Sequence, residues 1–169
     1  MDRTDNKNRI RNLALNGIML ALIVAVQSIN LPNLITGVIV NSILVFVSLF
    51  IGLKSAIILC LLSPFGGFIT GHAPTVLFPV LPVIAIGNTL LVVFVKKLSN
   101  KPIWLKLIVP AFIKALVIGF VGMLMVQIFK PEKIADFILF MVLGIQFFTA
   151  VPGIWLGIKI SEKAKENKI

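Results

Sequence analysis

A lysine near the middle of a long apolar stretch is the residue of this chain best suited to chemistry. Lys114 lies between Trp104 and Phe129, a stretch without any acidic residue. A charge in an apolar environment is costly, so such residues usually face a protein interior or a wet cavity and take part in function. The sequence predicts that Lys114 contacts the carboxylate or phosphate of a ligand. The alternatives are several carbonyl partners, a neutral amine, or a side chain that extends along its helix to water.

Beyond the first segment, few other polar side chains interrupt the apolar stretches, and four of them are amides: Asn41, Asn88, Gln127 and Gln146. At about 1.5 Å per helical residue, Lys114 and Gln146 each lie roughly 15 Å into their helices from opposite ends, so they can meet. Each amide is interpreted either as a ligand contact or as a hydrogen-bonding link between helices. Gln146 also begins a polar-to-small stripe that predicts an inward face, continuing through Thr149, Ala150, Gly153 and Gly157.

The sole histidine, His72, belongs to a region rich in glycine and proline. It is interpreted either as a surface loop residue or as a gate or ligand contact. Proline removes a backbone donor, so this region predicts irregular third and fourth segments that either kink or line a binding cavity. The residues concerned are Ser63-Pro64, Gly66-Gly67, Gly71 to Pro74, Pro79 and Pro82.

The composition indicates a membrane protein. Of the 169 residues, 59% are hydrophobic and 13% are charged, whereas soluble domains carry about 25% charged residues. Apolar segments near the length of a membrane span predict an all-α bundle of six transmembrane helices, a single domain over residues 1–169 with tails at 1–10 and 161–169. We expect a retained first helix rather than a cleaved signal. The segments are Arg11–Ile29, Thr36–Gly52, Lys54–Gly71, Thr75–Val95, Trp104–Phe129 and Ala135–Ile160.

The basic residues lie mostly between or beyond these segments, and their distribution predicts the topology. With six spans, thirteen of the sixteen Lys and Arg residues fall on the side of both termini. Lys130 and Lys133 fall on the opposite side, and Lys114 lies within a span. Basic residues favour the cytoplasmic side, so both termini are predicted to be cytoplasmic. The net charge of +10 is therefore read as a topology signal, and no interaction with nucleic acid is expected.

Small residues recur every three or four positions along the first helix and therefore share one face. Such stripes let helices approach closely in a membrane. The stripe predicts either packing within this bundle or docking onto another membrane subunit. Its members are Ala14, Gly17, Ala21, Ala25 and Ser28.

The sequence carries no recognisable catalytic or metal-binding pattern. The lone cysteine, Cys60, lies in an apolar run and is expected to serve packing. We find no P-loop, nucleophile elbow, zinc-protease motif or acidic cluster, so neither enzyme activity nor a metal or other cofactor is expected. Coupled carriers usually use Asp, Glu or His within the membrane. The predicted spans carry no Asp or Glu at their centres, so uphill transport would require energy from another subunit.

In this layout the chain resembles the substrate-binding S components of energy-coupling factor (ECF) transporters, small six-helix membrane proteins with cytoplasmic termini. The resemblance covers nearly the whole chain. Its local marks are Gly17-x-x-x-Ala21-x-x-x-Ala25, similar to the family's AxxxA docking motif with glycine at the first position, and the blocks Leu62-Ser-Pro-Phe-Gly-Gly and Ile86-Gly-Asn-Thr. Lys114 and Gln146 resemble positions in a poorly characterised branch of S components.

The resemblance implies uptake across the plasma membrane of a prokaryote. An S component captures a vitamin-like molecule and topples when it docks on a transmembrane T component, while two ATPase subunits use ATP that the S component itself does not bind. Docking is expected at Gly17, Ala21 and Ala25. The alternatives are a stand-alone secondary carrier and an assembly subunit without a ligand. For a small organic and anionic substrate, the predicted binding residues are Lys114, Gln146, Asn41, His72 and Asn88.

Overall fold

The structure is a computed structural model that describes residues 3–29, 31–73, 75–129 and 135–167. Side chains at 3–5, 8, 76–77, 123, 125–129 and 135–143 lie outside the description. The described residues form six α-helices and one 3₁₀ helix, which confirms the all-helical prediction for this part of the chain. The helices are α1 (Arg3–Ser28), α2 (Asn33–Phe50), α3 (Leu53–Ile69), the 3₁₀ helix (Thr75–Val80), α4 (Leu81–Lys97), α5 (Ile103–Phe129) and α6 (Ala135–Glu166).

Several of these helices are compatible with a membrane protein. A helix satisfies all of its backbone hydrogen bonds internally, which is what an apolar environment requires. Helix α3 is apolar but shorter, at 17 residues. Within the described ranges, four helical stretches are long and apolar enough to cross a bilayer: Arg9–Ser28, Asn33–Phe50, Phe78–Lys97 and Ile103–Gly122.

The helix boundaries confirm the predicted break at Gly52 and the predicted irregular fourth segment, and they correct the prediction for the third segment. Gly52 separates α2 from α3 with a φ of +147°, a conformation that favours glycine, and its N–H bonds the carbonyl of Val47 at 2.9 Å. The third segment is not broken, since α3 continues through Pro64. The fourth segment is not one helix, because the 3₁₀ helix containing Pro79 precedes α4.

Both end helices run further than the apolar segments that predicted them. Helix α1 begins at Arg3 and α6 continues to Glu166, so most of each region predicted as a tail is helical. Hydropathy marks the apolar part of a helix, whereas a helix continues into polar sequence as long as its backbone bonds are maintained.

The helices pack around α2. Helix α2 contacts α1, α3, α4 and α6, and its contact with α6 is the most extensive in the described bundle. The other helices form neighbouring pairs in the order α1, α3, α4, α5 and α6. The core therefore lies along α2, where Leu44, Val45 and Val47 are fully buried. Cys60 belongs to the same core, as its packing prediction requires.

Glycines on α6 allow its close approach to α2. A Cβ atom on Gly153 would lie 2.6 Å from Cβ of Asn41, and one on Gly157 would lie 2.7 Å from the carbonyl oxygen of Ser42. Any larger residue would push the two helices apart. The predicted inward face of α6 is confirmed, because Thr149, Ala150 and both glycines are buried. This packing holds Thr149 beside α2, at the wall of a cavity.

Candidate functional site

A cavity of about 180 Å³ lies at the end of the bundle where α1 leads into α2 and α3 leads into α4. Each of the six α-helices contributes to its wall. The five residues predicted to bind a ligand all line this cavity: Lys114, Gln146, Asn41, His72 and Asn88. The structure therefore brings together residues separated by more than a hundred positions, and their role in binding stays a prediction.

The cavity lining includes the Lys114 cluster, which we define as Lys114, Asn41, Thr149 and Gln146. Nζ of Lys114 donates to Oδ1 of Asn41 at 2.6 Å, and Nδ2 of Asn41 donates to Oγ1 of Thr149 at 3.5 Å. The Thr149 hydroxyl donates to the backbone carbonyl of Gln146 at 3.3 Å. The cluster thus links α5, α2 and α6 into one hydrogen-bonded chain.

The direction of every bond in the Lys114 cluster is fixed by chemistry. A backbone carbonyl only accepts, so the Thr149 hydroxyl donates to it and accepts from the Asn41 amide. The amide oxygen of Asn41 then faces Lys114, whose ammonium only donates. An ammonium has three N–H groups, and Asn41 takes one. The other two have no partner among the described residues.

Lys114 is buried inside the protein, with 2% of its surface exposed. This burial rules out the alternative in which its side chain extends along the helix to water. No carboxylate of the described side chains pairs with it, and the ion pair found at Lys159 and Glu162 lies on the exposed end of α6. Gly87 on α4 makes room for Ile118 of α5, because a Cβ atom there would lie 2.7 Å from Cδ1 of Ile118 but 3.5 Å from Cγ of Lys114, an ordinary contact.

The cavity lining also includes the Ser63 cluster, which we define as Ser63, Gln27 and Asn88. Nε2 of Gln27 donates to the backbone carbonyl of Ser63 at 3.1 Å, and Nδ2 of Asn88 contacts Oγ of Ser63 at 3.4 Å. Both amides therefore turn their N–H groups to α3. Oε1 of Gln27 and Oδ1 of Asn88 are buried without a partner in the described part of the chain.

His72 lies between α3 and the 3₁₀ helix, and it lines the cavity. Its side chain is partly buried, and Nδ1 is buried without a described partner. The loop is held in place because the N–H of Ala73 bonds the carbonyl of Gly67 at 2.9 Å. This position favours a ligand contact over an ordinary surface loop residue. The cavity-facing Ser63, Pro64 and Gly67 likewise favour the interpretation of this region as a cavity wall.

Sequence reasoning missed Gln27, which is 8% exposed. It was overlooked because α1 was analysed only for its small-residue face, and Gln27 projects from a different one. The signal that could have found it is the pair Gly66-Gly67 on α3. A Cβ atom on Gly66 would lie 2.9 Å from Oε1 of Gln27, and one on Gly67 would lie 3.0 Å from Nε2. Paired glycines in a helix indicate that another group approaches closely.

The small-residue stripe of α1 faces outward. Ala14, Gly17, Ala21, Ala25 and Ser28 are all exposed, and a Cβ atom on Gly17 would meet nothing within 4 Å. Packing within this bundle is therefore the wrong interpretation of the stripe, while docking onto a partner stays a prediction. The predicted Gln127 side chain and the loop containing Lys130 and Lys133 lie outside the described residues.

The chain was also compared with known proteins. No family model, curated protein or solved structure matches it. Its function is therefore inferred from the cavity, from the exposed surface of α1 and from the family that its sequence resembles.

Proposed function

We propose that this chain is a membrane-embedded binding protein for a small organic molecule, the S component of an ECF-type importer in a prokaryotic plasma membrane. The observation that carries the proposal is the buried side chain of Lys114, which lines the cavity and whose Nζ has one hydrogen-bond partner, Asn41, among the described residues. A buried charge without a counter-ion is costly. An anionic group of a ligand supplies the missing partner and offsets that cost.

The proposed importer takes its energy from other subunits. The six acidic residues of the chain are Asp2, Asp5, Glu132, Asp136, Glu162 and Glu166. Glu162 and Glu166, the two whose side chains the structure describes, lie outside the cavity lining. The described residues of the lining therefore offer no carboxylate to carry a coupling proton or sodium ion. A transmembrane T component and two ATPase subunits are the proposed partners. The exposed stripe of α1 supports this partnership, because small residues permit close helix contact in a membrane.

The binding function is tested by mass spectrometry of small molecules released from the purified protein. The native chain should release a defined organic molecule, and Lys114→Met should release much less of it. Lys106→Met is the matched control, because it removes a lysine from the same helix outside the cavity lining. Equal recovery from all three proteins would contradict ligand capture at this cavity.

Partner docking is tested by co-purification of a tagged chain with the T and ATPase subunits of its host. Ala21→Leu should abolish co-purification, because a large side chain on the exposed stripe prevents close contact. The control Ile86→Phe enlarges an exposed residue of α4 and should leave co-purification intact. If Ala21→Leu is folded and still retains the partners, the stripe is not their docking surface.

The proposed arrangement has six spans and cytoplasmic termini. Cysteines introduced at Thr75 and Asn100, both exposed, should react with a membrane-impermeant reagent from opposite sides. Thr75→Cys should react in intact cells, whereas Asn100→Cys should react only after the membrane is opened. Reaction of both in intact cells would rule out this topology.

A further inference from the structure

Resting on the proposed binding function, we infer that the ligand is a small monocarboxylate that also carries an N–H or O–H donor. Its carboxylate accepts hydrogen bonds from Lys114, and its donor group bonds Oε1 of Gln27. The cavity thus recognises a molecule with an acceptor at one end and a donor at the other.

The acceptor end of the ligand follows from the Lys114 cluster. The chain of bonds from Lys114 through Asn41 to Thr149 fixes the amide of Asn41, so that amide cannot turn to offer its N–H groups to the cavity. What the cluster offers is the ammonium itself, with two N–H groups that no described residue uses. A group that accepts two charge-assisted hydrogen bonds matches them, and a carboxylate has the lone pairs to do so.

The charge of the cavity favours a carboxylate over a phosphate. Among the described residues that line the cavity, Lys114 is the only Lys or Arg, and the three arginines of the chain all lie within the first eleven residues. One ammonium balances a monoanion. A phosphate ester, which carries more than one negative charge near neutral pH, would keep an uncompensated buried charge. Tight phosphate sites usually add arginine forks or helix N-termini.

The donor end of the ligand follows from the Ser63 cluster. Gln27 cannot exchange the positions of its amide atoms, because the carbonyl of Ser63 accepts only and must face the N–H₂ group. Oε1 of Gln27 is therefore an acceptor, buried and without a described partner. Asn88 is 4% exposed, and its Oδ1 is a second buried acceptor in the same cluster. Leaving such an acceptor unpaired costs about 1–3 kcal/mol, which a ligand N–H or O–H recovers once the side chain turns its buried oxygen to the cavity.

The size and the wall of the cavity limit the body of the ligand. An apolar protein cavity of about 150 Å³ holds benzene, so about 180 Å³ suits a molecule of roughly six to a dozen non-hydrogen atoms. Apolar side chains also line the wall, among them Val40, Leu81, Ile84 and Ile145. A short apolar or ring-shaped body between the two polar ends satisfies these conditions.

The test uses four ring compounds of this size as probes: 3-hydroxybenzoate, benzoate, 3-hydroxybenzyl alcohol and phenyl phosphate. Binding to the full-length protein in lipid nanodiscs is measured by calorimetry and by the shift in Tm. We expect 3-hydroxybenzoate to bind most tightly, benzoate next, and the alcohol and the phosphate least. Two length-preserving substitutions, Lys114→Met and Gln27→Met, then test the two ends separately.

Each substitution should remove the preference for one group of the ligand, the carboxylate or the hydroxyl donor, and keep the preference for the other. Lys114→Met should weaken the binding of 3-hydroxybenzoate by about 30-fold or more, so that it no longer binds more tightly than the alcohol. Gln27→Met should weaken the binding of 3-hydroxybenzoate by about 2- to 12-fold, so that it no longer binds more tightly than benzoate. Asn16→Leu, which changes another amide of α1 outside the cavity lining, should change neither. Should Lys114→Met fail to fold, Lys114→Gln removes the charge and keeps a donor for Asn41.

The outcomes separate this inference from the proposed function. Equal binding of benzoate and 3-hydroxybenzoate, or tighter binding of phenyl phosphate, overturns the ligand class. A molecule recovered from the native protein that lacks a carboxylate also overturns it but leaves the binding function standing. If none of the probes binds and no small organic molecule is recovered from the purified native protein, both proposals are overturned.

Discussion

The Lys114 cluster and the Ser63 cluster line the same cavity, and they are incomplete in opposite ways. Among the described residues, two N–H groups of a charged Lys114 have no partner in the first cluster, whereas the amide oxygens of Gln27 and Asn88 have none in the second. The clusters also belong to different helices. The first joins α5, α2 and α6, and the second joins α1, α3 and α4.

The difference indicates that a bound ligand would connect the two sets of helices, α2, α5 and α6 on the one hand and α1, α3 and α4 on the other. A molecule that accepts from Lys114 and donates to Gln27 adds a hydrogen-bonded link between α5 and α1. Helix α1 contacts only α2 and α3 among the more extensive helix pairs of the described bundle, so it has the most to gain from such a link. The same helix carries the exposed docking stripe, which places the proposed partner surface and a proposed ligand contact on one element.

The largest expected effect comes from removing the charge of the Lys114 cluster. Lys114→Met should weaken binding of the native ligand by about 2–5 kcal/mol, because a buried charge loses its partner in the complex. It should also preserve or raise the stability of the empty protein, since an uncompensated buried charge is removed. Calorimetry and the Tm of the ligand-free protein measure the two effects. A lower Tm would show that Asn41 alone compensates the ammonium, and the comparison between the clusters would fail.

A smaller effect is expected where α3 supports the Ser63 cluster. Gly66→Ala places a methyl group where Oε1 of Gln27 and Cγ2 of Val24 lie, at 2.9 and 3.1 Å. Gln27 must shift, and overpacking of this kind costs about 1–3 kcal/mol. Gly17→Ala is the matched control, because nothing lies within 4 Å of the new methyl group.

The readouts for this pair are the Tm of each variant and its ligand affinity. Gly66→Ala should lower both, whereas Gly17→Ala should leave affinity unchanged and keep or slightly raise the Tm, since alanine favours a helix over glycine. Unchanged affinity in a destabilised Gly66→Ala protein would mean that Gln27 packs α1 against α3 without contacting the ligand.

The Lys114 cluster was predictable from sequence because a charge in an apolar stretch is conspicuous. The inward face around Thr149 follows from helical periodicity. The hydrogen bond from Lys114 to Asn41 was not predicted, because the depth in the helices indicated Gln146 as the residue that Lys114 could meet. The helical class follows equally well from the apolar segments. These predictions use the charge, polarity and hydropathy of a residue, which do not depend on how its side chain is oriented.

The Ser63 cluster was harder to predict because its chemistry depends on orientation. Whether the amide of Gln27 offers N–H or oxygen to the cavity is decided by a backbone carbonyl on another helix. The direction of the small stripe on α1 was equally open, since small residues suit both internal packing and an outer surface. Pro79 and Pro82 predicted an irregular fourth segment, but its 3₁₀ geometry was not predicted because hydropathy does not distinguish helix types.

The smallest expected effect separates the two acceptors within the Ser63 cluster. Ser63→Ala removes Oγ, the contact of Asn88, and keeps the backbone carbonyl that holds Gln27. Ligand affinity should fall by about 0.5–1.5 kcal/mol, the net value of one ordinary hydrogen bond, because the Asn88 amide is no longer held in place. Ser48→Ala is the control, since it removes a buried hydroxyl that bonds the carbonyl of Val92 outside the cavity lining. Both variants should lose similar stability in thermal unfolding, but only Ser63→Ala should lose affinity. If the two variants bind the ligand equally well, Asn88 does not contribute to recognition, and Gln27 is the acceptor that defines this cluster.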